Sequence, residues 1–234
     1  MERFVHAGAL ARRRAPLAAL VAAGLCACAS ADIVYSNDFE SGGWMPEWTS
    51  NVRSTTPVSG RTFLGEFNND AVRLNLGGLG AHTETTVSFD FYAIRTWDGN
   101  TWPGPDNFAV RVVGGATILD TTFVVSEPDN WRTQSYPAPT GQGDFAQRTG
   151  AVENNTLGYF WKGIACDAVW RFELTFEHDS QYLAVDFIGS GLQGIDDESW
   201  GIDNVQVSIN SVPAPGALAL GGLGLATAMR RRRR

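Results

Sequence analysis

The residues best equipped for chemistry in this sequence are carboxylates and indoles, and they crowd into one stretch, WDGNTWPGPDNF at 97–108. Asp98, Asn100 and Asp106 are oxygen ligands set among glycines that permit tight turns, with Trp97 and Trp102 beside them. An exposed indole stacks on a pyranose ring while carboxylates and amides fix its hydroxyls, so the stretch reads as a sugar site or a calcium-dependent sugar site. The competing reading is an Asx-turn loop with one Trp folded onto the core. Asp-Gly and Gly-Pro are ordinary turn chemistry and favour it.

A second acidic stretch, GLQGIDDESWGID at 191–203, faintly resembles the acidic strand of laminarinase-like glucanases, in which spaced carboxylates supply nucleophile and acid. Here Gly194 stands where the leading Glu would be, and the spacing is compressed. The better reading is an acidic turn leading into the last strand, with Trp200 packed inward. Asp203, read by strict alternation, shares a face with Val205 and Val207, and a carboxylate at the edge of an apolar face needs a partner or a metal. Nucleophilic catalysis has little support. His82 and His178 are the histidines left outside the leader, and there is no Gly-x-Ser-x-Gly elbow, zinc spacing or phosphate loop. Cys166 beside an apolar run reads as core. The sequence therefore predicts a non-enzyme.

The ends of the 234-residue chain differ from its middle. Arg12, Arg13 and Arg14 precede the apolar run Leu17 to Ala27, and Ala29-Ser30-Ala31 is a small-x-small cleavage site. This is the pattern of a secretory signal peptide over 1–31, cut by signal peptidase to leave Asp32 first. Cys26 and Cys28 leave with it, so Cys166 has no partner for an intrachain disulfide. At the other end, Val212-Pro213-Ala214-Pro215 precedes a 14-residue apolar run, Gly216 to Met229, and five arginines. As a helix that run measures ~21 Å against a hydrocarbon core of ~30 Å. It makes a short transmembrane helix whose arginines stay on the cytoplasmic side.

The three-part tail, 211–234, resembles the PEP-CTERM sorting signal of Gram-negative bacteria, with Ala214 where the usual motif has Glu. The resemblance implies transient anchoring in the inner membrane, processing by an exosortase-type protease, and delivery to the cell surface or an extracellular matrix. Without the two ends, the segment 32–210 holds nine basic and 24 acidic residues, a net charge of −15. Such a surface repels nucleic acid and anionic lipid and attracts divalent cations.

Period-two alternation predicts what positions these side chains. In AVWRFELTFEH, Trp170, Phe172, Leu174 and Phe176 share one face. Val87, Phe89 and Phe91 do so in TTVSFDFYAI, Leu183, Val185 and Phe187 in YLAVDFIG, and Val205, Val207 and Ile209 in IDNVQVSI. Further strands are expected in IVYSNDFE, RTFLGEF, AVRLNL, NFAVRVV, ATILDTTFV and WRTQSY, separated by turns such as SGG, GGLG, VGG and GSG. Many short strands and no capped helical period predict an all-β antiparallel sandwich, most simply a jelly roll.

The segments NDFES, FLGEFNND, VSFDFYAIRTWDGN and DESWGIDNVQV together resemble the jelly-roll domain of PEP-CTERM-tailed proteins and, in outline, lectin-like and carbohydrate-binding jelly rolls. That resemblance implies paired N- and C-terminal strands. It also implies a structural Ca²⁺ held by Asp203 with Asp38 and Glu40, Glu66 being a weaker addition, and completed by backbone carbonyls. The expected function is an exported structural or adhesive protein, or a carbohydrate-binding module acting on extracellular polysaccharide. A glycoside hydrolase comes third.

Overall fold

Each alternating segment becomes a strand with its apolar side turned inward. The computed structural model describes residues 31–125 and 131–211. Its strands are β1 Ala31–Asn37, β2 Arg53–Thr55, β3 Thr62–Phe67, β4 Ala71–Gly77, β5 His82–Arg95, β6 Asn107–Val112 and β7 Thr117–Thr122. Then come the short β8 Thr133–Gln134, β9 Phe145–Ala146, β10 Glu153–Asn154, β11 Phe160–Trp161 and β12 Ile164–Ala165. The long β13 Asp167–Glu177, β14 Tyr182–Ser190 and β15 Glu198–Ser211 complete the series. Among the described residues there is no helix, and so none long and apolar enough to cross a membrane. The expected signal helix, the sorting motif Val212 to Pro215 and the apolar tail helix lie outside the described residues.

Two antiparallel sheets face each other. The larger runs β10-β13-β5-β15-β3-β2, with β1 also paired to β15. The smaller runs β4-β14-β6-β7. The first and last strands pair, as the jelly-roll resemblance implied. Between the sheets, Phe91 stacks on Phe108 at 4.1 Å, Phe89 meets Phe187 edge-on at 5.1 Å, and Phe108 meets Trp200 at 5.3 Å. These rings, with Val87, Val110, Trp170, Val185, Ile202 and Val207, form the buried core. The offset and edge-on geometries suit the ring quadrupoles and add to the gain from burial.

The outer face of the large sheet is solvated at Arg171, Glu173 and Thr175, as alternation in β13 reads, but it is covered at one end. A smaller cluster, Phe63, Tyr92, Ile94, Leu157, Tyr159 and Val169, is buried there. The segment after β10 covers it, held by the Asp167 carboxylate, which accepts the N–H groups of Leu157, Gly158 and Tyr159, each at 3.0 Å. On the outer side of the small sheet, Asp186 is buried between Arg73 at 2.6 Å and Arg111 at 2.8 Å. Both arginines hold its carboxyl below the usual range, Arg73 most strongly.

One irregularity changes the expected site. Asp203 pairs with Asp90, but Gln206 pairs with Ser88, so β15 carries one extra residue between them. The bulge is made at Asn204, whose φ is 51°. A one-residue insertion flips the side-chain sides. Ile202, Val205 and Val207 face inward in the core, while Asp203 falls on the outer face beside Asp90 and Tyr92. Strict alternation had put Asp203 on the Val205 face.

A candidate carbohydrate site above a buried acidic cluster

The bulge turns Asp203, one of the three expected calcium ligands, to the outer face of the sheet. Asp203 accepts the Tyr92 hydroxyl at 2.7 Å and the Asn204 N–H at 2.7 Å. Burial pushes its carboxyl up to about 6, opposed by those two hydrogen bonds, and the charges of Asp90 and Glu40 push the same way as burial. Glu40 accepts the Thr62 N–H, and Asp38 is an exposed residue that accepts the Glu40 N–H. The weaker addition, Glu66, is taken by Arg95 at 2.6 Å and the Ser199 hydroxyl at 2.7 Å. Asp38, Glu40 and Asp203 thus do not converge on one point.

A different set does. Among the described residues, Asp98, Asp106 and Glu198 each bring a carboxylate oxygen within 4.8 Å of the others, and all three are buried. Asp98 and Asp106 stand at the two ends of the loop that the sequence singled out. Glu198 is the first residue of β15. The loop closes on itself: the Asp106 N–H donates to Gly99 O at 2.9 Å and the Gly104 N–H to Thr101 O at 2.7 Å. Gly99 sits at φ 65°, where a Cβ would strike Val124 and the Thr133 carbonyl, so this turn requires glycine.

The cluster's hydrogen bonds are uneven. Asp106 Oδ2 accepts the Asp98 N–H, while Asp106 Oδ1 is buried without a hydrogen-bond partner. Glu198 Oε2 accepts the Gln193 N–H at 2.7 Å. The Gln193 side-chain amide satisfies both groups when its nitrogen, not its oxygen, faces Glu198. Burial raises the Asp106 and Glu198 carboxyls well above the usual range; the charge of Asp98 pushes both the same way and that of Asp106 adds to the rise at Glu198, while at Asp106 the Asp98 N–H and the Glu198 carboxyl work against it.

Arg132 ties the loop from the side. One of its terminal nitrogens lies 2.9 Å from Asp98 Oδ1, 2.9 Å from Thr101 Oγ1 and 3.3 Å from the Trp102 carbonyl. Its guanidinium also sits 5.0 Å from the centre of the Trp131 ring. The two residues it ties, Trp131 through its ring and Trp102 through its carbonyl, both carry exposed indoles, at 63% and 86% of full exposure. Trp97, by contrast, is fully buried, with its indole N–H on Ser199 O at 2.8 Å and its ring edge-on to Phe91. The sugar-platform role expected of either Trp97 or Trp102 is thus open, on geometry, only to Trp102.

Asn100 is also structural. Its amide nitrogen donates to Gly143 O and Asp144, and its oxygen accepts from Thr122 and Ser135. These bonds hold the 135–144 loop beside the Trp102 loop and shape a cleft of about 290 Å³ lined by Asn100, Pro105, Thr122, Thr140, Gly143 and Asp144. Trp131, Arg132 and Asp144 were not singled out from the sequence. Trp131 sits in WRTQSY, which read as a strand, and nothing in its spacing ties it to position 102. A larger hollow, about 630 Å³, lies at the opposite ends of these strands, near His178 and Tyr182, and no indole lines it.

The third expected chemistry fails on access. Glu198 is fully buried while Asp196 is exposed, so the two do not flank a common groove as a glycosidase pair must. His82 is buried and stacked on His178, with 2.8 Å between ring nitrogens, and no candidate nucleophile is among the hydrogen-bond partners of either ring except the distant hydroxyl of Thr85 at 3.5 Å. The Cys166 thiol donates to Val125 O inside the core.

No family model matches the sequence, and no curated protein does. Among solved structures, the chain is similar to the CBM22-1 xylan-binding domain from Paenibacillus barcinonensis, at 13% identity and TM-score 0.36, over 80% of this chain and 100% of that one. It is also similar to the Emp47p carbohydrate recognition domain, at 13% identity and TM-score 0.36, over 80% and 99%. A third is the C-terminal CBM6 of the marine laminarinase LamC from Zobellia galactanivorans, at 12% identity and TM-score 0.30, over 75% and 92%.

Proposed function

We propose that this domain is a non-catalytic carbohydrate-binding sandwich that attaches an exported protein to extracellular polysaccharide. The observation that carries the reading is the pair of exposed indoles, Trp102 and Trp131, both tied to Arg132, Trp102 through its backbone carbonyl and Trp131 through its ring, with Trp102 on a loop that also lines the polar cleft of Asn100, Thr140 and Asp144. Large exposed aromatic faces are costly in water unless something stacks on them, and sugar rings offer C–H faces with hydroxyls at their rim. The carboxylate of Asp144 and the hydroxyl of Thr140 are of the type that fixes such hydroxyls.

The terminal segments supply the address in this reading. A leader over 1–31 exports the chain, the tail from Ser211 anchors it in the inner membrane, and an exosortase-type enzyme cuts near Pro213 or Pro215. The product is a surface- or matrix-associated protein of a Gram-negative-type bacterium.

The test is affinity electrophoresis of the full chain through a panel of soluble neutral polysaccharides, followed by titration calorimetry on any that retard it. Trp102→Ala and Trp131→Ala should each weaken binding about tenfold or more. Neither should move the thermal midpoint, because both rings are exposed. Wild-type mobility unchanged by every glycan, or retardation undiminished in both variants, would overturn the proposal.

A further inference from the structure

The buried carboxylates under the Trp102 loop are not in contact with the cleft, and sugar binding gives them no task. We infer that Asp98, Asp106 and Glu198 form a site for a hard divalent cation, best suited to calcium, that pins the 98–106 loop to the start of β15. The site differs from the Asp38, Glu40 and Asp203 set expected from the sequence, and shares no residue with it.

Three observations converge. The first is spacing. Calcium–oxygen bonds of 2.3–2.6 Å put opposite ligands up to about 5 Å apart, and the three carboxylate oxygens lie within 4.8 Å of one another. The second is the orphan atom. Asp106 is fully buried, its Oδ2 is used by the Asp98 N–H, and its Oδ1 has no hydrogen-bond partner. Buried acceptors are rarely left so, and a bound ion is one of the standard reasons. The third is charge. Three carboxylates face one guanidinium, Arg132, among the described residues. With all three ionised, the excess over Arg132 is two negative charges, which is what a divalent cation displacing their protons neutralises. All three donors are oxygens, which selects calcium, magnesium or manganese over thiolate- and imidazole-seeking metals. A dry, irregular set on two loop ends and a strand suits calcium's flexible geometry better than magnesium's octahedron.

The chain topology gives the cation a consequence. Asp98 and Asp106 bracket the loop whose tip carries Trp102, and Glu198 precedes Ser199, whose carbonyl holds the Trp97 indole. A bound ion would therefore brace the loop from below. The inference does not need the glycan reading, because its test contains no sugar.

The full-length protein, stripped with EDTA and exchanged into metal-free buffer, is titrated with calcium alone and scanned for thermal unfolding. The expected result is one calcium per chain and a midpoint raised by roughly 5–10 °C at calcium a hundredfold above its dissociation constant. Asp106→Asn should abolish both effects, and Asp203→Asn should keep both. Should Asp106→Asn fail to fold, terbium gives a second measurement on the wild-type protein. Terbium emission sensitised through tryptophan should rise on binding, because Trp97 adjoins Asp98 in the chain, and calcium should displace it stoichiometrically. No stoichiometric uptake of calcium, magnesium, manganese or terbium, with an unchanged midpoint, would overturn the inference and leave a cluster held together by protons.

Discussion

Asp203 shows how a side chain read as unusual from the sequence can find its partners in a place that alternation does not predict. A carboxylate beside an apolar strand needs a partner, and this one has two hydrogen-bond donors, Tyr92 and Asn204. The environment has a measurable consequence. Its folded pKa, raised to about 6, stands above the unfolded value of 3.8. The folded state thus holds the proton more tightly, so the stability this proton confers is complete below pH 3.8 and is lost as pH rises through about 6. Asp203→Asn removes that titration. Urea midpoints measured from pH 4 to pH 7 should show the variant gaining on the wild type, by at most about 1.4 kcal/mol per pH unit, and then running parallel to it. A wild-type-to-variant difference that stays constant over this range would mean that Asp203 is already ionised at pH 4.

At the scale of the strand, the decisive feature is the single extra residue at Asn204. Its left-handed backbone suits Asn, and its side chain donates to Asp90 at 2.9 Å, where Arg171 already binds. Asn204→Val places a β-branched residue in a conformation it avoids and should cost about 1–3 kcal/mol in urea unfolding. Asn204→Gly keeps the backbone, loses one hydrogen bond, and should cost about 1 kcal/mol or less. Equal losses would show that the side-chain bond, and not the backbone, holds the bulge. The same residue marks what could be read from the sequence. Strands β5, β13, β14 and β15 were legible because each buries one face, so the period of two is written in Val, Phe and Trp. The bulge was not legible, because an Asn between Asp and Val is also ordinary strand sequence, and the shift appears only in the pairing with β5. The loop was half legible. Asp98 and Asp106 were picked out together, but Glu198 sits 92 residues after Asp106 in the chain and meets them only because β15 runs beside β5. The burial of Trp97 and the exposure of Trp102 likewise depend on which indole can reach the Ser199 carbonyl, a fact of tertiary placement.

For the whole molecule, charge decides which polysaccharides can approach. The segment 32–210 carries nine cations against 24 anions. Most of the nine are engaged internally: Arg61 with Glu153, Arg73 and Arg111 with Asp186, Arg95 with Glu66, Arg132 with Asp98, and Arg171 with Asp90. Arg53 is tied to the Ser41 and Gly43 carbonyls, Arg148 to Asn155, and Lys162 lies over Trp161. The field around this segment is therefore negative, and among the described residues every arginine already has a partner within the domain. A glycan recognised here through Trp102 and Trp131 must gain most from stacking, which salt does not screen, and should lack carboxylate or sulfate groups. Affinity for a neutral polysaccharide should accordingly change less than about twofold between about 20 mM and about 300 mM salt, whereas a polyuronate should bind weakly and worst at the lowest salt. Electrophoretic retardation measured at the two ionic strengths separates the cases. Tight polyuronate binding that strengthens as salt falls would mean that cations now paired inside the domain are released to the ligand. Loss of the Arg132 contacts would then unseat Trp102 and Trp131 as well, and the same variants that test stacking would lose their effect.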